Sequence, residues 1–333
     1  FCGKILYMAK KILLSGIQPS GKIHLGNYLG TLKNWVDMQS KHSCLYSVVD
    51  LHAITGNYDP KKYQEDIFNT VVNLLAIGIN PKKSIIFVQS SVKEHTELCW
   101  LFNSITPIAE LERMTQFKDK ASKNKQNINV GLFNYPVLQA ADILLYRAEV
   151  VPVGEDQLQH LELTNTILRK FNNKFGNTFN EIKPILSKGA RIMSLADPAS
   201  KMSKSLGSKH YIALSDSPEE IKKKIMSAVT DTSESKEMSA GVKNLFTLLE
   251  LLADKKIYNK YLNEYNNKSL KYSELKSELA DVIINLLKPI QEKREYWLQN
   301  RKKVNKIILN GNKKARLIAQ KNIIDIKQKM GLL

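Results

Sequence analysis

Three groups of residues in this chain have the types and spacing that chemistry needs. Lys201-Met202-Ser203-Lys204-Ser205 sets two ammonium groups three residues apart in a Met/Ser loop. That is a mobile double cation suited to a polyphosphate leaving group. His24-Leu25-Gly26-Asn27 stands where a first strand turns into a first helix, the place at which α/β folds bind nucleotides. The Asn27 amide can donate to a phosphate oxygen, and it also suits a helix start. Asp142 lies in the apolar helical stretch Gln139-Ala140-Ala141-Asp142-Ile143-Leu144-Leu145-Tyr146. A buried carboxylate needs a partner, either a neighbouring Lys, Arg or Tyr or a bound ligand. Gly154-Glu155-Asp156-Gln157 follows apolar Val150–Val153 and opens a helix, where acidic residues also serve as caps.

The elements that must position these residues are legible as period and punctuation. Ile12-Leu13-Leu14 is a buried strand ended by Gly16, Pro19 and Gly21. Tyr28, Leu29, Leu32, Trp35 and Val36 recur at helical spacing, Leu45 to Val49 reads as a second strand, Ile67, Val71, Leu74 and Leu75 as a second helix, and Ser84 to Val88 as a third strand. Strand, helix and strand alternating in this way predict a parallel sheet with ligands at the carboxyl ends of its strands, near Gly16–Gly21 and Asp50-Leu51-His52. Leu98, Leu101, Phe102 and Ile105 share a helix face. Residues 118–130 read as a mobile polar loop, 131–146 and 157–171 as helices, and 183–216 as a loop-rich stretch. Beyond it every apolar pattern is helical, with Leu275, Leu279, Val282, Leu286 and Ile290 at the 3.6 period.

Composition narrows the class. The 333 residues carry 43% hydrophobic and 25% charged side chains, ordinary for a globular enzyme and long enough for two domains. No apolar run reaches the length of a membrane span. The net charge of +18 favours a polyanionic partner. Residues 216–333 hold 24 Lys+Arg against 15 Asp+Glu, or +9 of that charge. Cys2, Cys44 and Cys99 form no close pair, which points to a reducing compartment without disulfide or zinc. His42, His95, His160 and His210 show no metal spacing and read as surface or helix residues. Met8 opens Met-Ala-Lys-Lys and reads as a possible start.

The Lys201–Ser205 and His24–Asn27 segments resemble the two ATP-binding signatures of the class I aminoacyl-tRNA synthetases. The pentapeptide matches that loop completely, and Asn in the place of Asn27 is common in the tryptophanyl branch. Ser15-Gly16-Ile17-Gln18-Pro19-Ser20-Gly21 resembles the family's first turn, so the chain is similar to the tryptophanyl-tRNA synthetase family. The resemblance implies an α/β fold with a Rossmann-like parallel-sheet catalytic domain over 9–215, a helical insertion and dimer region at about 105–185, and an all-helical anticodon-binding domain over 216–333. It implies activation of L-tryptophan by ATP with Mg²⁺, transfer to tRNA(Trp), a homodimer, no membrane, and a cytoplasmic place of action, or an organelle matrix after loss of a targeting segment.

The resemblance also implies residue roles. Lys201 and Lys204 would neutralise departing pyrophosphate, with His24 and Asn27 as the other catalytic residues. Gln18, Ser20, Gly26 and Asn27 would hold ATP. Asp156 would reach its ribose, and Arg191, Ile192 and Met193 its adenine, through backbone groups of Ile192 and Met193. Met202, Ser203 and Ser205 would complete the loop around the phosphates. Asp142 would accept the indole N–H, Tyr135 hold the amino group and Gln157 reach the amino acid, with Gly16, Val151 and Val153 as walls. His52 would lie beside the same pocket, and it reads equally well as a satisfied structural histidine. No residue would hold a metal. Leu14 stands where many relatives have Phe, and Gln139 where many have Met. A tyrosyl-tRNA synthetase shares the fold and both signatures, but Ala-Ala-Asp142 and Gly154–Gln157 argue against it. A small-metabolite nucleotidyltransferase would lack the Lys201–Ser205 loop and the basic helical region. Intact Lys201, Lys204, Asn27 and Asp142 argue against a non-catalytic tRNA-binding paralogue.

Overall fold

The computed structural model describes residues 10–19, 22–115, 128–186, 191–230 and 238–333. Ser20, Gly189, Met8 and all but the last three residues of the 118–130 loop lie outside them. Five strands, β1 (Ile12–Ile17), β2 (Ser43–Val48), β3 (Ser84–Val88), β4 (Val150–Val153) and β5 (Lys183–Leu186), pair in parallel in the order β3-β2-β1-β4-β5. The apolar runs dictate this, because strands buried on both faces suit the interior of a parallel sheet. Leu13 at the centre pairs with Cys44 on one side and Val150 on the other. Gly16 does not end β1, which continues to Ile17. A Cβ at Gly16 would lie 2.7 Å from a Val49 methyl, so the missing side chain lets the next loop close in. β5 went unread because Lys183-Pro184-Ile185-Leu186 is a short, half-exposed edge, where proline costs no ladder bond.

The helices are α1 (Leu25–Asn27), which runs through a π turn at Tyr28–Leu32 into α2 (Lys33–Met38), then α3 (Asp50–Ala53), α4 (Tyr63–Ala76), α5 (Glu94–Asn103), α6 (Ile108–Glu112), α7 (Val130–Leu145), α8 (Leu158–Phe175), α9 (Pro218–Met226), α10 (Ala240–Leu252), α11 (Lys255–Asn266), α12 (Tyr272–Gln299) and α13 (Arg301–Lys329). The described residues fall into two compact units, one from 10–19, 35–115, 128–186 and 300–333, the other from 22–34, 191–230 and 238–299. This division departs from the expected 9–215 and 216–333: the last helix belongs with the sheet, and the His24 segment with the Lys201 loop.

In the first unit α13 covers the free edge of β3, the place where an unpaired strand is a liability. The approach is close: a Cβ on Gly311 would stand 1.7 Å from the Ile86 carbonyl oxygen. Next along the helix, Asn312 Oδ1 accepts from Val88 N (2.9 Å) and its Nδ2 donates to Ser91 Oγ (2.9 Å). Asn322 Nδ2 donates to the Leu145 carbonyl at the end of α7 (2.8 Å). α7 itself begins at Asn129, whose side chain accepts from Leu132 N (2.8 Å). In the second unit α9 opens on a capping box between Ser217 and Glu220, with Pro218 at its first position. α12 buries Leu275, Leu279, Ile283, Leu287 and Ile290. Strict steps of four select Ile283 and Leu287 in place of Val282 and Leu286, which are half-buried.

Candidate active site

In the first unit α7 brings Asp142 to a fully buried position, and the partner is neither Lys, Arg nor Tyr. Oδ1 accepts from His95 Nδ1 (2.6 Å) and Gln89 Nε2 (2.8 Å), and Oδ2 accepts from His52 Nε2 (2.8 Å) and Gln89 Nε2 (2.9 Å). Gln89 follows β3, His52 sits in α3 just after β2, and His95 opens α5. The ends of two strands and one helix start therefore converge on one carboxylate. Burial alone would raise the Asp142 pKa; the His95 and His52 interactions outweigh it and hold the group well below the usual carboxylate range. His95 is a helix residue, one of the two readings open to it, but it is fully buried and its Nε2 meets the Tyr146 hydroxyl (2.8 Å). No spacing in the sequence could have found it, because its partners lie at long sequence separations.

His52 turns its ring edge-on to Tyr135, with centroids 6.1 Å apart. Tyr135 in turn meets His160 Nε2 (3.0 Å), and His160 Nδ1 meets Gln157 Oε1 (3.1 Å). Gln157 Nε2 donates to Asp156 Oδ2 (2.9 Å). His160, a buried residue of helix α8, thus links Tyr135 to Gln157. Burial, helped by the Asp156 charge, pushes the Tyr135 hydroxyl up to about 12. A Cβ at Gly154 would stand 2.7 Å from Asp156 Oδ1, so the glycine makes room for the carboxylate at the start of the turn. Val151, Val153 and Leu14 are buried in the core beside α7. Gly16 and Gln18 are exposed at the end of β1. A cavity of about 470 Å³ opens beside Tyr135, walled by Leu51, Ile54, Cys99, Trp100 and Leu138. Among residues expected to bind the amino acid, Tyr135 alone lines it, and burial pushes the Cys99 thiol up to about 12, which quiets it as a nucleophile.

In the second unit His24 and Asn27 cap each other. Asn27 N donates to His24 Nδ1 (3.2 Å), and His24 N donates to Asn27 Oδ1 (3.3 Å). The first contact makes Nδ1 an acceptor and puts the ring proton on Nε2. With Oδ1 engaged, Asn27 has its exposed Nδ2 to offer an anion. The His24 pKa falls to about 4, first because the ring is buried and then because Lys204 and Lys201 stand nearby. The imidazole is therefore neutral at pH 7 beside two ammonium groups. Gly26 sits under this contact, since a Cβ there would lie 3.1 Å from His24 Nδ1 and 3.4 Å from Met202 Cβ. Met202 is buried and anchors the loop, its N–H donating to the Ile192 carbonyl (3.0 Å). Lys201 and Ser205 are exposed, and the Ser203 side chain accepts from Ser205 N (3.3 Å).

One expectation changes here. Met193 has both backbone groups occupied by buried Asn244 of α10, which donates to its carbonyl (3.1 Å) and accepts from its N–H (3.2 Å). A base at this point would have to displace that side chain to use the Met193 N–H. Arg191 is exposed and Ile192 buried.

Comparison with known proteins matches residues 8–288 to the family model of the tRNA synthetases class I (W and Y). A tryptophan–tRNA ligase of Helicobacter pylori is 48% identical over 331 residues, covering 98% of this chain and 100% of its own. One from Wolinella succinogenes is 44% identical with the same coverage. Among solved structures, the tryptophanyl-tRNA synthetase of Campylobacter jejuni complexed with ADP and tryptophan superposes with a TM-score of 0.86 at 34% identity, covering 96% of this chain and 100% of that one.

Proposed function

Because the chain belongs to the class I tRNA synthetases for tryptophan and tyrosine, we infer that it is a tryptophan–tRNA ligase, which activates L-tryptophan with ATP and passes it to tRNA(Trp). The observation that carries the choice of amino acid is the buried, ionised Asp142. Its two oxygens already take four contacts, from His95 and Gln89 at Oδ1 and from His52 and Gln89 at Oδ2, so a substrate N–H would take over one of the two forked Gln89 contacts. An indole N–H can make that exchange and a phenylalanine side chain cannot, which favours tryptophan. Tyr135 and Gln157 hold the amino end.

In the first step a tryptophan carboxylate oxygen attacks the α-phosphorus of ATP. The bond from that phosphorus to the bridging oxygen breaks, and pyrophosphate leaves with the electron pair, giving tryptophanyl-adenylate. In the second, a terminal ribose hydroxyl of tRNA attacks the acyl carbon and AMP leaves, the hydroxyl proton passing to solvent. No protein nucleophile is required, so catalysis is positioning and charge stabilisation. Lys201 and Lys204 stabilise the pyrophosphate as its charge grows. Neutral His24 donates from Nε2 and Asn27 from Nδ2. Mg²⁺ would act on the triphosphate, whose oxygens suit a hard cation.

A homodimer is part of this reading. Trp100, Ile108 and Val130 are 75%, 66% and 80% exposed in the first unit, an apolar surface that suits a second copy. Among the described residues no helix is long and apolar enough to cross a membrane, and a cytoplasmic place of action fits the basic charge and free thiols. Charging assays with purified transcripts test the inference. Tryptophan should be esterified to tRNA(Trp), with no tyrosine esterified to tRNA(Tyr); the opposite pattern would assign the tyrosyl branch.

A further inference from the structure

The buried chain behind Asp142 has more parts than an acceptor needs. His95 is wholly buried and cannot reach a substrate, yet both ring nitrogens are used. With Asp142 ionised, His95 Nδ1 carries the proton that it donates to Oδ1. Its Nε2 lies 2.8 Å from the Tyr146 hydroxyl, which holds the far side of the ring. Tyr146 is 1% exposed and closes α7 four residues after Asp142; Phe87 of β3 packs against both rings, with centroids 5.9 Å from His95 and 5.4 Å from Tyr146. The imidazole is thereby clamped from two sides.

We propose that His95, held by Tyr146, is a positioning residue for amino-acid selection: it orients the Asp142 carboxylate that is to accept a substrate N–H. This rests on the reading that Asp142 faces the amino-acid side chain. Gln89, forked across both oxygens, and His52 fix the carboxylate plane. His95 makes the shortest contact to the carboxylate and alone is braced by a second buried hydroxyl. Selection for an N–H thus depends on a side chain that never touches the substrate.

The test uses the full chain and two amino acids that differ at one atom, tryptophan and β-(3-benzothienyl)alanine, in which sulfur replaces the indole N–H. The readout is the ratio of their kcat/KM values in pyrophosphate exchange. Wild type should prefer tryptophan strongly. Tyr146→Phe, which frees the far side of the imidazole, should lower the ratio roughly 3- to 10-fold, and His95→Ala roughly 10- to 100-fold, each with the KM for ATP unchanged. His95→Asn, which keeps a donor near the Nδ1 position, should recover much of the missing ratio. If His95→Ala does not fold, Tyr146→Phe and His95→Asn still decide. Parallel losses for both amino acids, leaving the ratio intact, would overturn the proposal and make His95 a structural residue. A wild-type protein that does not distinguish the two would instead remove the underlying reading of Asp142.

Discussion

Asp142 ties sequence to function at the scale of single residues. Its context, a carboxylate in an apolar helix, was visible; its partners were not, because His52, Gln89 and His95 approach from chain segments 90, 53 and 47 residues away. That crowding changes how the residue should be tested. Asp142→Ala would orphan three buried donors and is expected to lower stability by about 3–5 kcal/mol. Asp142→Asn keeps the volume; it should reduce kcat/KM for tryptophan by about 10- to 100-fold, the worth of roughly 1.5–3 kcal/mol of charge-assisted bonding, while leaving the KM for ATP alone. Unchanged tryptophan kinetics in the folded Asn variant would contradict the role. His24 gives a second residue-scale outcome. Its folded pKa of about 4 lies below the ordinary histidine value of 6.5. Between those values the unfolded chain binds more protons, so the His24 contribution to stability is complete above about 6.5 and is lost as pH falls through the window towards 4. Removing the charges with Lys201→Ala and Lys204→Ala together should raise the NMR titration midpoint of His24, yet keep it below 6.5, because burial is the larger cause. A midpoint that stays at about 4 would show that the lysines are not felt at the imidazole.

At the scale of elements, the three strands with uninterrupted apolar runs were legible and the edge strand β5 was not, since hydrophobic period has nothing to report at a half-exposed edge. The same limit applies to α13. Its exposed Lys and half-buried apolar residues read as one more helix of a basic C-terminal region, whereas Gly311, Asn312 and Asn322 fasten it to β3 and α7. A glycine and two asparagines in a helix look like poor formers until the backbone they approach is known. Gly311→Ala should therefore be destabilising despite alanine's better helix propensity, by about 1–3 kcal/mol in denaturant unfolding, because the new methyl meets the Ile86 carbonyl. Lys314→Ala, at an exposed position of the same helix, should stay within about 0.5 kcal/mol. Equal effects would mean that α13 does not press on β3. The resemblance located the site motifs, but the seating of Met202 against Gly26 depends on a fold that joins residues 22–34 to 191–230.

For the whole molecule the net charge of +18 is the broadest clue. Part of it is already spent inside the fold. Lys224 pairs with Asp216 (2.5 Å), Lys222 with Asp281 (3.6 Å) and Arg301 with Glu65 (2.5 Å). Reversing the basic clusters Lys222-Lys223-Lys224 and Arg301-Lys302-Lys303 whole would also break these pairs. Lys223 and Lys302 are exposed members outside those three pairs. Lys223→Glu and Lys302→Glu, made separately, should weaken tRNA binding while sparing adenylate formation. Each should also flatten the dependence of binding on salt, by about one unit of logarithmic slope for every phosphate that the variant no longer neutralises. An unchanged slope in both variants would return those charges to a solvated surface. The central claim is narrower than tRNA binding: the site around buried Asp142 activates one amino acid. The most direct measurement is amino-acid-dependent exchange of labelled pyrophosphate into ATP by the purified full chain, with each of the twenty amino acids in turn. Rapid exchange is expected with tryptophan, and at most trace exchange with tyrosine and phenylalanine. Exchange driven best by any other amino acid, or none at all in the folded protein, would contradict that claim.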